Sequence, residues 1–133
     1  MKPHYAISIE GNDRTIRLRM SGIFDLEAMN AFADEYKARS AVYASKPHLI
    51  LADLRGMSPS SPQVAARLGQ AIEYSRRMGV VRCAHLSDDT VTKLQAARLG
   101  RLASPDSDVT VDVVSREEAE RVLEEARALF EKE

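Results

Sequence analysis

The chain has 133 residues, 44% of them apolar and 29% charged, with 19 basic against 20 acidic side chains and a net charge of −1. That length predicts a single domain over residues 1–133 with one sizeable core, and the charge balance excludes a general attraction to nucleic acid or anionic lipid. The lone cysteine, Cys83, excludes an internal disulfide and a cysteine-based zinc site, and the lack of a signal peptide or a long apolar run argues for a cytoplasmic protein without stable membrane insertion.

Tyr5, Ile7 and Ile9 alternate with Ala6, Ser8 and Glu10, the period of a half-buried strand. Gly11, Asn12 and Asp13 supply a turn, and Ile16, Leu18 and Met20 repeat the alternation with Arg17 and Arg19 toward water. Together they predict an antiparallel hairpin. Asp25 is placed to cap a helix that carries Leu26, Met29, Phe32, Ala33 and Tyr36 on one stripe and runs to about Ala44, before Lys46 and Pro47 end it.

Residues 49–54 follow as a continuous apolar run closing on Asp53, the pattern of a central parallel strand buried on both faces. A helix over residues 62–78 starts with proline at its tolerated first position and stops before Gly79. Its inner side, with Leu68, Ala71, Ile72 and Ser75, is only weakly hydrophobic. Residues 80–86 make a further strand, residues 90–103 a helix capped from Ser87, Asp88 and Asp89, and Val109, Val111 and Val113 one face of a fifth strand. Ser115 and Glu118 form a capping box for the last helix, whose stripe holds Ala119, Val122, Leu123, Ala126, Leu129 and Phe130. The reading is an α/β fold of order ββαβαβαβα: one mixed, mostly parallel five-stranded sheet with four helices.

The loop between the central strand and the second helix reads Arg55-Gly56-Met57-Ser58-Pro59-Ser60-Ser61-Pro62. Open α/β sheets place their contacts at such carboxyl ends. A buried strand ending in Asp-Leu, then a serine-bearing loop that opens a helix, within this element order, resembles the STAS domain of bacterial anti-sigma factor antagonists. It resembles still more the stand-alone SpoIIAA-like proteins, over about residues 4–131. In regulatory STAS proteins this loop reads Asp-Ser-Ser-Gly or Asp-Ser-Thr-Gly, and a partner kinase phosphorylates one hydroxyl. The resemblance puts Ser61 at the phosphorylated position and Ser60 beside it, with Pro59 in place of the acid and Pro62 in place of the glycine. It implies a regulatory protein whose partner is an anti-sigma factor or a kinase-like protein.

Read from the residues alone, Ser61 is a helix cap, at a place that would also suit a phosphate on the free amides of a helix start. Met57 is either an apolar knob for a partner or a side chain tucked beneath the loop. The expected contact surface is Met57, Ser58, Pro59, Ser60, Ser61, Pro62 and Val64. Asp53 reads as an inert turn acid or, in the alternative, as one that orients Arg55 or the loop backbone; Cys83 reads as a small buried apolar residue, and His85 as a satisfied strand-end histidine rather than a base. Arg76, Arg77 and Arg82 read as a solvated face. His4, His48 and His85 share no metal-ligand spacing, and the six glycines form no phosphate-binding loop or dinucleotide fingerprint, so neither metal nor cofactor is expected.

With no assembly of acid, base and nucleophile, the leading reading is a non-enzymatic regulatory or interaction domain. The alternative is a carrier or sensor of a small apolar ligand or lipid, because Ala65, Ala66, Gly69 and Ala71 could leave a gap between the second helix and the sheet. A homodimer through the hairpin edge or a helix face is a further expectation.

Overall fold

The computed structural model describes residues 2–9, 14–58, 61–87 and 109–131, with side chains to residue 128. Five strands, β1 (His4–Ile9), β2 (Thr15–Ser21), β3 (His48–Asp53), β4 (Val80–Leu86) and β5 (Thr110–Val113), form one sheet in the spatial order 1-2-3-4-5. β1 runs antiparallel to β2 in the expected hairpin, and every other pairing is parallel. Three α-helices are described: α1 (Leu26–Ser40), α2 (Pro62–Arg77) and α3 (Arg116–Glu131). The turn at residues 10–13 and the helix expected over 90–103, the fourth of the sequence reading, lie outside the described residues.

β3 is the axis of the sheet. All six of its residues are buried, because parallel partners flank it on both edges and helices cover both faces. Ile50 and Ala52 join a core with Met29, Phe32 and Tyr36 of α1 and Val64 of α2. Leu49 and Leu51 point the other way, into a second core with Ala84, Leu86, Val113 and the Ala119, Leu123 and Ala126 stripe of α3. The alternation of side chains along a strand thus splits one apolar run between two layers.

The helix ends follow their capping chemistry. Asp25 Oδ1 accepts from the Ala28 amide at 2.8 Å, and α1 gives way at Ser40 to a single turn of 3₁₀ helix, Ala41–Tyr43, ahead of Pro47. Gly79 has φ +110°, and its missing Cβ leaves room for the backbone of Lys46. The box at α3 closes differently from expectation. Ser115 Oγ accepts from the Glu118 amide at 3.1 Å, but the Glu118 carboxylate reaches the Val114 amide at 3.3 Å, one residue before the cap itself.

β2 is covered only in part on its second face, where Arg19 is exposed as expected. Arg17, expected in water, is only partly exposed and pairs with Glu120 of α3 at 3.8 Å, while Arg127 of α3 donates to Thr15 Oγ1 at 2.9 Å. Val109 departs from the face assigned to it. It precedes β5 and packs in the α1/α2 core, while Val111 and Val113 pack under α3. Among the described residues no helix is long and apolar enough to cross a membrane.

Candidate functional site

The loop after β3 is built from its first residue. Asp53 is buried, and its Oδ1 accepts from the Arg55 amide at 3.1 Å and from Arg55 Nε at 3.0 Å, while Oδ2 accepts from Nη2 at 2.8 Å. One carboxylate therefore closes a turn and clamps a guanidinium in the same contact. Burial alone would push the Asp53 carboxyl up, but these Arg55 contacts and the charge of Arg19 hold it below the usual carboxylate range. Of the two readings of Asp53, the structure fits the one in which it orients Arg55 and the loop backbone, not the inert turn acid.

The next residues are fastened to the end of β2. The Gly22 amide donates to the Gly56 carbonyl at 2.9 Å and the Ser58 amide to the Gly22 carbonyl at 3.0 Å, with Gly22 and Met57 bridged in parallel. Gly22 (φ +86°) accepts this because a Cβ there would strike the Lys2 carbonyl. The tether turns Met57 inward, where it is 6% exposed within the α1/α2 core. This corrects the expected contact surface: Met57 is no knob, and Val64, 2% exposed, also packs inside. Of the remaining expected contacts, Ser61 and Pro62 are exposed and Ser58 is half-buried, while Pro59 and Ser60 lie outside the described residues.

Ser61 is the N-cap of α2, its Oγ accepting from the Val64 amide at 3.3 Å with Pro62 as the first helical residue. The positive end of the α2 dipole therefore faces out beside an exposed hydroxyl. Two exposed apolar side chains follow Gly22 on the segment that leads into α1, Ile23 at 52% and Leu26 at 42%. Sequence reasoning missed Ile23 and placed Leu26 on the buried stripe. The Gly22–Met57 bridge ties the start of their segment to the loop.

A second feature lies behind the loop. Between α2 and the sheet is a partly open cavity of about 60 Å³ with walls that are almost wholly apolar. Leu18, Met20, Ile50 and Ala52 form its floor, Phe32 and Tyr36 one side, and Leu68, Ala71 and Ile72 its roof. It exists because α2 turns small residues, Ala71 and then Ser75 one turn on, toward the strands. Ala66, expected to share that inner face, is exposed.

The polar groups of this wall fall into two kinds. Tyr36 donates its hydroxyl to Ser75 Oγ at 2.8 Å, and Ser75 donates to the Ala71 carbonyl at 2.8 Å. Burial pushes the Tyr36 phenol up to about 12. His85 differs, since it is 5% exposed and its Nδ1 has no hydrogen-bond partner among the described residues, in place of the satisfied histidine of the sequence reading. Burial also lowers its proton affinity, against a smaller opposite pull from Asp112. Cys83 is buried as expected, its thiol pushed up to about 12 by burial and then by Asp112. Among the described residues no group of three or more His, Cys, Asp or Glu side chains could hold a metal ion.

By sequence, no family model and no curated protein matches the chain. Two solved structures share its fold. An uncharacterized protein of the DUF3478 family with a SpoIIAA-like fold, from Shewanella loihica PV-4, superposes with a TM-score of 0.69 at 14% identity, over 92% of this chain and 96% of the other. An anti-sigma factor antagonist from Mycobacterium paratuberculosis superposes with a TM-score of 0.59 at 14% identity, over 91% and 95%. The chain therefore has the SpoIIAA-like fold, and the architecture implied by the resemblance holds across nearly its whole length.

Proposed function

We propose that this chain is a non-enzymatic regulatory domain that binds a protein partner at the β3–α2 loop. The observation that carries the reading is the Asp53 and Gly22 anchorage of the loop that leads to the exposed Ser61 and Pro62, with Ile23 and Leu26 exposed on the segment that follows Gly22. The surface is a corrected form of the expected one: Ser58, Ser61 and Pro62 with Ile23 and Leu26, joined by Pro59 and Ser60 from the same loop. Exposed apolar pairs rimmed by polar groups are the usual make-up of such contacts. The likeness to an anti-sigma factor antagonist supports a partner of the anti-sigma factor or kinase-like class. A phosphoryl group on Ser61 would meet the α2 amides and the positive end of their dipole, and Ser60 is its neighbour in the same role.

The test is a photo-crosslinking residue placed at Pro62 and, as control, at Glu124 on α3, in the cells that make the protein. A single protein adduct from position 62, absent from 124 and lost in the Ile23→Ser, Leu26→Ser double variant, supports the surface. Equal adducts at both positions, or adducts that survive in a folded double variant, overturn it. Phosphopeptide mass spectrometry of the same material reads Ser60 and Ser61.

A second reading, a sensor of a small apolar molecule, is favoured by the cavity beneath α2. It is compatible with the first, since the helix that roofs the cavity is the helix Ser61 caps. Native mass spectrometry that finds a bound small molecule supports it.

A further inference from the structure

The wall of the cavity under α2 holds a buried polar atom that has no hydrogen-bond partner among the described residues. His85 lines the cavity from β4, buried, with Nδ1 unpartnered. Directly beside it in the β4–β5 register stands Asp112, whose Oδ1 is likewise buried without a hydrogen-bond partner. Residues paired across neighbouring strands project to the same face, so Asp112 stands beside His85, although only His85 lines the cavity. Such groups are rare in native structures, because leaving them unpaired forfeits the hydrogen bonds they made to water. We infer that the cavity beneath α2 is a binding site for a small molecule with an apolar body and one hydroxyl group, the hydroxyl seated on His85 Nδ1.

The chemistry of this nitrogen selects the head group. An imidazole nitrogen donates or accepts according to tautomer, and a hydroxyl can answer either. Burial keeps His85 neutral, and Arg76 lines the same cavity. The body meets Leu18, Ile50, Leu68 and Ile72, which offer no polar atom. Size limits it as well: about 60 Å³ is well under the roughly 150 Å³ that admits benzene in an engineered cavity, so the enclosed part of the occupant is a short aliphatic segment. Anything longer extends through the open side.

This inference rests on the sensor reading, and the experiment separates the two. The wild-type protein is titrated with 1-butanol and 1-chlorobutane, followed by the methyl NMR signals of Leu18, Ile50 and Ile72 and by the His85 ring. Saturable shifts with 1-butanol and about fivefold weaker binding of 1-chlorobutane, as expected for one lost hydrogen bond, support the site. In His85→Leu the two uncharged probes should bind alike, and in Ala71→Leu neither should bind. Ala71→Val serves if the leucine variant does not fold. Equal binding of 1-butanol and 1-chlorobutane to the wild type overturns the hydroxyl assignment and leaves the apolar sensor standing. No saturable shift with either overturns both.

Discussion

Ser61 and the buried histidines carry the clearest consequences of single side chains. Ser61 Oγ satisfies an amide that would otherwise be orphaned at the start of α2, so Ser61→Ala should lower stability by about 1 kcal/mol, read as a shift of the urea midpoint with unchanged slope. An unchanged midpoint would mean that the cap contributes nothing. His48 and His85 are both buried, and burial holds both below the ordinary histidine value, in His48 against a weaker pull from the Lys46 carbonyl. Protonation is therefore disfavoured in the folded state and free in the unfolded one. Their contribution is complete above the unfolded value of about 6.5 and declines as pH falls below it toward the folded values, with a slope of at most about 1.4 kcal/mol per pH unit for each ring. Urea unfolding at pH 7.5 and 5.5 should show that loss, and His48→Gln should flatten it. Asp53 acts in a separate acidic window: its carboxylate stabilises above about pH 4 and stops doing so as pH falls through its lowered folded value.

At the scale of elements, the α2–β4 connection shows how a single backbone position fixes two segments. Gly79 accepts the left-handed region, its carbonyl receives the His48 amide at 3.1 Å, and the Ser45 amide donates to Met78 at 2.9 Å, so the ends of α2 and the entry to β3 share one joint. Gly79→Ala combines a positive φ with a Cβ driven into the Lys46 backbone, and should cost about 2 kcal/mol or more in urea unfolding. A cost below a few tenths would show that the joint yields freely. This end of α2 was legible because Gly and Pro are local punctuation, and so was β3, whose apolar run is continuous. Other features were hidden in the pattern. Periodicity says that Ala71 and Ser75 face inward, but whether opposing side chains meet them depends on how far Leu18 and Ile50 reach across the sheet. The burial of Met57 depends on pairing with Gly22, thirty-five positions away, and the Asp53 clamp on a rotamer of Arg55. The 109-to-113 alternation misplaced Val109 because the strand begins one residue later.

For the whole molecule, the question is whether two cores make one folding unit. Each layer has its own cluster, but β3 supplies Ile50 and Ala52 to one and Leu49 and Leu51 to the other, and β4 likewise places Cys83 in one and Ala84 in the other. Neither layer can melt without exposing the reverse side of the same central strands, so cooperative loss of both is expected. The tyrosines permit a direct check. The chain has four and no tryptophan, and Tyr5, Tyr36 and Tyr43 belong to the α1/α2 core, with Tyr74 edge-on to Tyr36. Tyrosine fluorescence therefore reports on one layer only, whereas far-ultraviolet circular dichroism reports on both. Leu123→Ala empties a fully buried site on the opposite face, beneath α3, and should cost about 2–5 kcal/mol. If the sheet couples the layers, that substitution moves the tyrosine transition and the dichroism transition to the same lower temperature, although no tyrosine belongs to the core it disturbs. A tyrosine transition left at its wild-type temperature while the dichroism curve splits into two steps would mean that β3 does not bind the layers into one unit, and that the loop beside Ser61 stays folded when α3 is lost.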